Sequence, residues 1–233
     1  MIAGPNTMAE VAALVGDTAR ANMLDTLMDG RALTAGELAF VARVGAPTAS
    51  AHLAKLVEAR LLSVVKQGRH RYYRLASPLV GRMLEGIMAV AAIETPPRHR
   101  PRTPRDEALL LARTCYDHLA GRLGVAIADS LIAQSRLILN DDAGEVTQRG
   151  VAFLRGFGLD LAAVPRRNPR MLCRPCLDWT ERRPHLAGAL GALVTRRCFE
   201  LGWIERRRDS RAVAITVRGR DGLRDAFGVD LGA

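Results

Sequence analysis

No apolar run in this chain of 233 residues approaches the ~18 residues that a membrane-crossing helix requires, so no membrane partner is expected. The first residues lack the basic-then-apolar order of a secretory signal, which points to the cytoplasm. Cysteine is scarce. Four residues suit reduced thiols or metal ligands better than a disulfide framework. No glycine-rich phosphate loop and no Ser/His/Asp arrangement occurs. A Cys–His catalytic pair would need an orienting Asp or Asn and an oxyanion donor. Asp117 neighbours the pair Cys115/His118, but on a helix it would point away from their face. These absences weigh against an enzyme. Acidic residues are also short, 24 against 34 Lys and Arg for a net charge of +10, a balance that favours nucleic acid through counterion release. With 48% hydrophobic residues, the chain is long enough for two domains with real cores.

The order of parts from Leu33 to Leu75 is that of a winged helix-turn-helix. Thr34 opens a short apolar-periodic segment (Ala35, Leu38, Ala39, Val41, Ala42) that Gly45 breaks. Pro47 lies in the first turn of a second helix, where a missing N–H does no harm. That helix carries Thr48, Ser50, Ala51 and His52 on one face and Leu53, Leu56, Val57 and Leu61 on the other. A strand-like run, Leu62 to Lys66, leads into the basic turn Gln67-Gly68-Arg69-His70-Arg71 and then Tyr72, Tyr73 and Leu75. A helix with a short polar face and a basic hairpin behind it fits a major groove and its flanking phosphates. Thr48, Ser50, His52 and Lys55 are the expected groove-facing residues. Arg69, His70 and Arg71 would meet phosphates or the minor groove. His52 has a second reading, packed beneath the helix and never touching a base.

The string from Pro47 to Leu56, followed by Leu61-Leu62 and by Gly68 to Leu75, resembles the ArsR family of bacterial dimeric repressors. The resemblance covers roughly residues 8–92. It implies a winged-helix homodimer with interface helices at about 8–28 and 77–92, bound to double-stranded operator DNA until a ligand, metal or oxidant is sensed. Two departures stand out. The family usually has glycine where the recognition helix ends, and Arg60 stands there. The cysteine pair that metal-sensing members carry before that helix is absent from Glu37–Ala42, and the helix from Ser77 to Ala92 lacks the Asp/His ligands that other members use for zinc. Sensing is therefore expected further along the chain.

Residues 94–106 hold four prolines and four arginines with almost nothing apolar, the composition of an extended connector. This divides the chain into a DNA-binding and dimerisation domain at 1–93, a linker at 94–106 and an effector domain at 107–233. The last contains an internal duplication, about 115–161 against 176–231. Cys115-Tyr-Asp117-His118-Leu-Ala-Gly121 matches Cys176-Leu-Asp178, six extra residues, then His185-Leu-Ala-Gly188. Apolar helices follow at Leu123–Leu137 and Leu190–Ile204, then strand–turn–strand signals at 137–147 and 203–216. Thr147-Gln-Arg-Gly150 and Thr216-Val-Arg-Gly219 open short, threonine-capped helices. Each copy reads as helix, β-hairpin, helix, a winged-helix-like unit. The expected class is mainly α with small β-hairpins.

The duplication places Cys115 and His118 in positions equivalent to Cys176 and His185. If a pseudo-twofold axis passes near them, they converge as a Cys₂His₂ set suited to zinc or another thiophilic metal. The spacing Cys115-x-x-His118 puts both on one helical face, whereas the insertion Trp179 to Pro184 shifts His185 relative to Cys176. The alternative is a small buried Cys115 and a packed His118. Cys173-Arg-Pro-Cys176 is a separate signal: a close pair whose thiolates Arg170 and Arg174 would favour, open to redox sensing or to half a zinc site. Trp179 and Arg183 would line a seam pocket for an anionic or aromatic effector, or Trp179 simply plugs that seam. Cys198 follows the apolar helical pattern and is read as core. A DNA-binding regulator leads the readings, ahead of an architectural DNA protein and an enzyme.

Overall fold

The computed structural model describes residues 5–94, 104–141, 143–163, 172–207 and 210–232. The fold mixes helices with short strands and divides into two compact units, Met1–Ile87 and Met88–Ala233. Most of the region read as a linker lies outside the described residues. Its final residues, 104–106, differ from the extended connector expected. Pro104 opens a helix instead, because proline is tolerated in a first helical turn.

In the first unit, helices α1 (Pro5–Val15) and α2 (Thr18–Thr26) precede a 3-10 turn, strand β1 (Leu33–Thr34) and helices α3 (Ala35–Ala42) and α4 (Ala46–Glu58). Strands β2 (Leu62–Gln67) and β3 (His70–Leu75) form the wing, and α5 (Pro78–Glu94) follows. The sheet order is β1-β3-β2, all antiparallel. Local chemistry sets these boundaries. Thr34 and Glu37 form a reciprocal capping box that satisfies orphan N–H groups at the start of α3. Gly45 caps α4 with a proline in its first turn. Ala49, Leu53 and Leu56 recur at helical spacing and bury one face of α4, which packs against α2 and α3; Met23, Leu24, Leu27, Met28 and Leu38 are buried in the same unit. Each such leucine contributes about 1.5–3 kcal/mol by leaving water.

The second unit repeats one element order. Helix α6 (Pro104–Leu111) leads into hairpin β4 (Arg113–Cys115) and β5 (His118–Ala120), helix α7 (Gly121–Ala133), hairpin β6 (Leu137–Leu139) and β7 (Gly144–Val146), and helix α8 (Gln148–Gly156). The order recurs as hairpin β8 (Arg174–Leu177) and β9 (Pro184–Ala187), helix α9 (Gly188–Glu200), hairpin β10 (Ile204–Arg206) and β11 (Val213–Ile215), and helix α10 (Val217–Phe227). Thr147 and Thr216 accept from the N–H of Gly150 and Gly219, so α8 and α10 are capped alike. Leu119, Leu123, Ile127, Leu137 and Leu154 share one core with their counterparts Leu186, Leu190, Val194, Ile204 and Leu223.

Three details differ from expectation. Each copy begins with a hairpin that helical periodicity hides. The long helices start earlier and stop four residues sooner, because Ser135 and Gly202 take left-handed φ of 54° and 66° and Leu137 and Ile204 belong to strands. Cys115 and His118 share no helical face. They lie opposite each other across the β4–β5 turn, whose Tyr116 has φ of 57°.

Candidate functional site

The polar side of α4 presents Thr48, Ser50 and Lys55 to solvent, opposite its buried leucines. The wing turns tightly, with Gln67 paired to His70 and Gly68 at φ of 58°, a conformation that favours glycine. Arg69 therefore sits at the hairpin tip with His70 and Arg71 beside it, all three exposed. His52 is only half-exposed. Its Nδ1 lies 3.1 Å from Arg20, whose guanidinium also donates to the carbonyls of Ala13 and Leu14. The contact with Arg20 is what the packed reading expects, while the half-exposed ring still leaves the groove-facing reading as a proposal. The helix end occupied by Arg60 is left-handed, φ 57°.

A second set of side chains gathers in the C-terminal unit. Cys115 pairs with His118 across one hairpin, and Cys176 with His185 across the other. Directly opposed residues of a ladder project to the same face, so each hairpin offers one thiol and one imidazole together. Of the six extra residues, Trp179 to Arg183 lie in the longer β8–β9 loop and Pro184 pairs with Leu177, so the Cys176–His185 register stays intact. One nitrogen or sulfur from each of the four residues lies within 4.8 Å of all the others, and all four residues are buried. The imidazoles stack with centroids 5.0 Å apart.

Glycines permit this approach. A Cβ on Gly124 would meet the Leu119 carbonyl carbon at 2.7 Å and the His185 Cβ at 3.6 Å. A Cβ on the equivalent Gly191 would come within 3.1 Å of the His118 Cβ. Each long helix thus packs close to the other copy's hairpin.

Electrostatics around the quartet are asymmetric. Asp117 Oδ1 lies 3.0 Å from His118 Nδ1 and is half-exposed, so the helix-based expectation that Asp117 points away does not hold on a hairpin. Its counterpart Asp178 is fully buried and accepts from Arg113 at 2.7 Å, from the Gly121 N–H at 2.6 Å and from Thr180 at 2.7 Å. Its Oδ2 stands 3.6 Å from His185 Nδ1. Burial, the largest single influence, would raise the Asp178 pKa, but the Arg113 charge together with hydrogen bonds from Thr180 and the Gly121 and Glu181 N–H groups outweighs it and holds the carboxyl well below the usual range. Burial, with His118 beside it, lowers His185 and keeps its ring neutral. The neighbouring Cys176 thiol, then burial, pushes Cys115 up.

Cys173 is elsewhere, in the main core with Cys198, while Cys176 clusters with Cys115. Burial pushes the Cys173 thiol up to about 12, against the lowering expected from nearby arginines; Arg170 lies outside the described residues. The Trp179 ring lies 4.6 Å from the Arg113 guanidinium, and Arg183 pairs with Asp129 at 2.7 Å. A half-open cavity of about 610 Å³ is lined by α6, α10 and the C-terminal residues and does not involve Trp179 or Arg183. Sequence reasoning placed Asp178 opposite Asp117 in the duplication but missed Arg113 as its partner, because a pair 65 residues apart leaves no local pattern.

The arsR family of bacterial regulatory proteins matches residues 17–64. Over 216 residues the chain is 43% identical to YdfF, an HTH-type transcriptional regulator of Bacillus subtilis (strain 168), covering 93% of this chain and 94% of that one. The chain belongs to the ArsR family. Among solved structures, a homodimeric winged helix-turn-helix fragment of Mb0332 from Mycobacterium bovis is 24% identical with a TM-score of 0.37, over 43% of this chain and all of that one. Reduced HlyU from Vibrio cholerae is 25% identical with a TM-score of 0.34, over 36% and 88%. As an ArsR-family transcriptional regulator, the chain uses its winged helix-turn-helix for DNA. The Cys/His quartet lies outside the segment that the family match spans. No helix of the described residues is long and apolar enough to cross a membrane.

Proposed function

We propose that this protein is a dimeric cytoplasmic repressor that leaves its operator when its C-terminal domain receives a chemical signal. The observation that carries this reading is the exposed polar face of α4 beside a basic wing tip. Thr48 and Ser50 suit base edges, while Lys55, Arg69, His70 and Arg71 suit phosphates. Large apolar side chains stay exposed on both helices assigned to the dimer, Met8 on α1 and Leu79 and Val90 on α5, which supports a self-association surface. The assigned domains are 1–93 for DNA binding and dimerisation and 107–233 for sensing, joined through residues 94–106, the last three of which open α6. In the last, α7–β6–β7–α8 and α9–β10–β11–α10 support a pair of winged-helix-like repeats.

The cofactor of the sensing domain is a thiophilic metal, supported by the buried cluster of two thiols and two imidazoles. A redox signal is the second reading, favoured by the closeness of the Cys115 and Cys176 sulfurs. A peroxide would oxidise both thiols to a disulfide, with its two oxygens leaving as water.

The test is an anisotropy titration of labelled DNA from upstream of the gene, against a scrambled duplex of equal length, with sedimentation of the complex. Tighter binding to the upstream DNA by two protomers per site is expected. Equal affinity for both duplexes would overturn the reading.

A further inference from the structure

We infer that Cys115, His118, Cys176 and His185 form a closed, four-coordinate zinc site, with Asp117 positioning His118 and Asp178 positioning His185. This rests on the reading that the domain holds a thiophilic metal, and adds the ligands, the metal and the carboxylates that orient them.

The donor set comes first. Two sulfurs and two ring nitrogens match a tetrahedral S₂N₂ zinc site, whereas calcium and magnesium seek oxygen. A tetrahedral zinc with bonds of about 2.0–2.3 Å holds its ligand atoms about 3.3–3.8 Å apart. The four donors already lie within 4.8 Å of one another, so a contraction of at most roughly 1–1.5 Å completes the geometry. Every ligand is buried, and four protein ligands leave no open position for substrate or water. Such a site holds structure together and does not catalyse. Two ligands come from each copy of the duplication, so the metal staples one hairpin to the other.

His185 supplies an independent observation. It is 0% exposed, and neither ring nitrogen has a hydrogen-bond partner. A neutral imidazole carries one N–H and one lone pair, and leaving both unsatisfied in a dry interior is costly. Zinc on Nε2 and a shortened Nδ1–H to Asp178 Oδ2, now at 3.6 Å, would satisfy both.

The carboxylates recur at equivalent places, two residues after each cysteine. Asp117 faces His118 Nδ1 at 3.0 Å and Asp178 faces the same nitrogen of His185, the arrangement that fixes tautomer and ring angle in metal-bound histidines. Asp178 is held in turn by Arg113, the Gly121 N–H and Thr180. Through Arg113 and Gly121 the first copy thus orients a ligand of the second.

The test uses the full-length protein, stripped with a chelator and titrated with cobalt(II), then zinc(II). Expected are one ion per chain, the intense visible bands of tetrahedral cobalt thiolate, and their loss on adding zinc. Cys115→Ser and Cys176→Ser should each lower the sulfur-to-cobalt charge-transfer band. Asp117→Asn, at a half-exposed turn where folding tolerates it, should keep the tetrahedral spectrum yet weaken zinc about 10–100-fold in chelator competition. Asp178→Asn should do likewise if it folds. Failure of the wild type to bind either ion overturns both the metal reading and this site. Binding with an octahedral spectrum, or one indifferent to both serine variants, overturns this site alone. Unchanged zinc affinity in Asp117→Asn overturns the positioning role.

Discussion

Arg60 occupies the backbone position at the end of the recognition helix that the family usually gives to glycine, and its φ is 57°. A side chain with a Cβ is strained there by about 1–2 kcal/mol. Arg60→Gly should therefore raise the urea midpoint, by an amount equivalent to roughly 1 kcal/mol after the entropy cost of glycine is subtracted. An unchanged or lower midpoint would show that Arg60 makes a compensating interaction. Cys198 offers a pH test. Burial pushes its thiol up to about 12, against an ordinary value of 9.0. Between those values the unfolded chain releases a proton that the folded one retains, so unfolding free energy falls as pH rises through that window and is unaffected below it. Stability measured from pH 8 to 11 should fall less steeply in Cys198→Ala than in the wild type. Parallel curves would mean that the thiol is not protected.

At the scale of elements, the roles proposed for the wing and the recognition helix can be told apart. Arg69→Ala with Arg71→Ala should weaken binding to all duplexes alike and flatten the dependence of affinity on salt, since each lost phosphate contact removes about 0.9 from the log–log slope. Ser50→Ala should instead relax sequence preference while leaving that slope in place. Uniform effects from both would show that these roles are misassigned. Gly191→Ala probes the crossing of the two copies. A Cβ there would run into the Leu186 carbonyl and lie 3.1 Å from the His118 Cβ, and overpacking against backbone costs about 1–3 kcal/mol. That exceeds the gain in helix propensity of about 1 kcal/mol, so the melting temperature should fall. An unchanged one would mean that the helix shifts freely.

The same scale shows what the sequence reveals. The winged helix is legible because its signals are local: the Thr34 capping box, the Gly45 break, the proline in the first turn of α4 and the glycine at the wing turn. The Cys/His quartet is legible through the duplication, which needs no knowledge of the fold. The hairpins that carry them are not, because strands of three residues have no periodicity to detect, and Cys-x-x-His suits a helix as well as a two-residue turn. The discriminating sign is a glycine directly after Ala120 and Ala187, at φ of 74° and 81°, where a helix interior would disfavour it. Asp178 is visible as the duplicate of Asp117, but its ion pair is not: Arg113 lies far away in sequence, and only packing brings the two together.

At the scale of the whole molecule, an ArsR-family winged helix precedes a duplicated domain whose two copies share one core. The relative from Bacillus subtilis spans both parts. Under the proposed function, the first part binds DNA and the second decides when. The most direct measurement is one anisotropy titration of upstream DNA in two states of the full-length protein. One state is reduced and zinc-loaded; the other is treated with a slight excess of peroxide and a chelator. The account predicts salt-dependent binding in the first state and at least tenfold weaker binding in the second, restored by reductant and zinc. Coincident curves would contradict it, and would separate the metal and its thiols from the control of DNA binding.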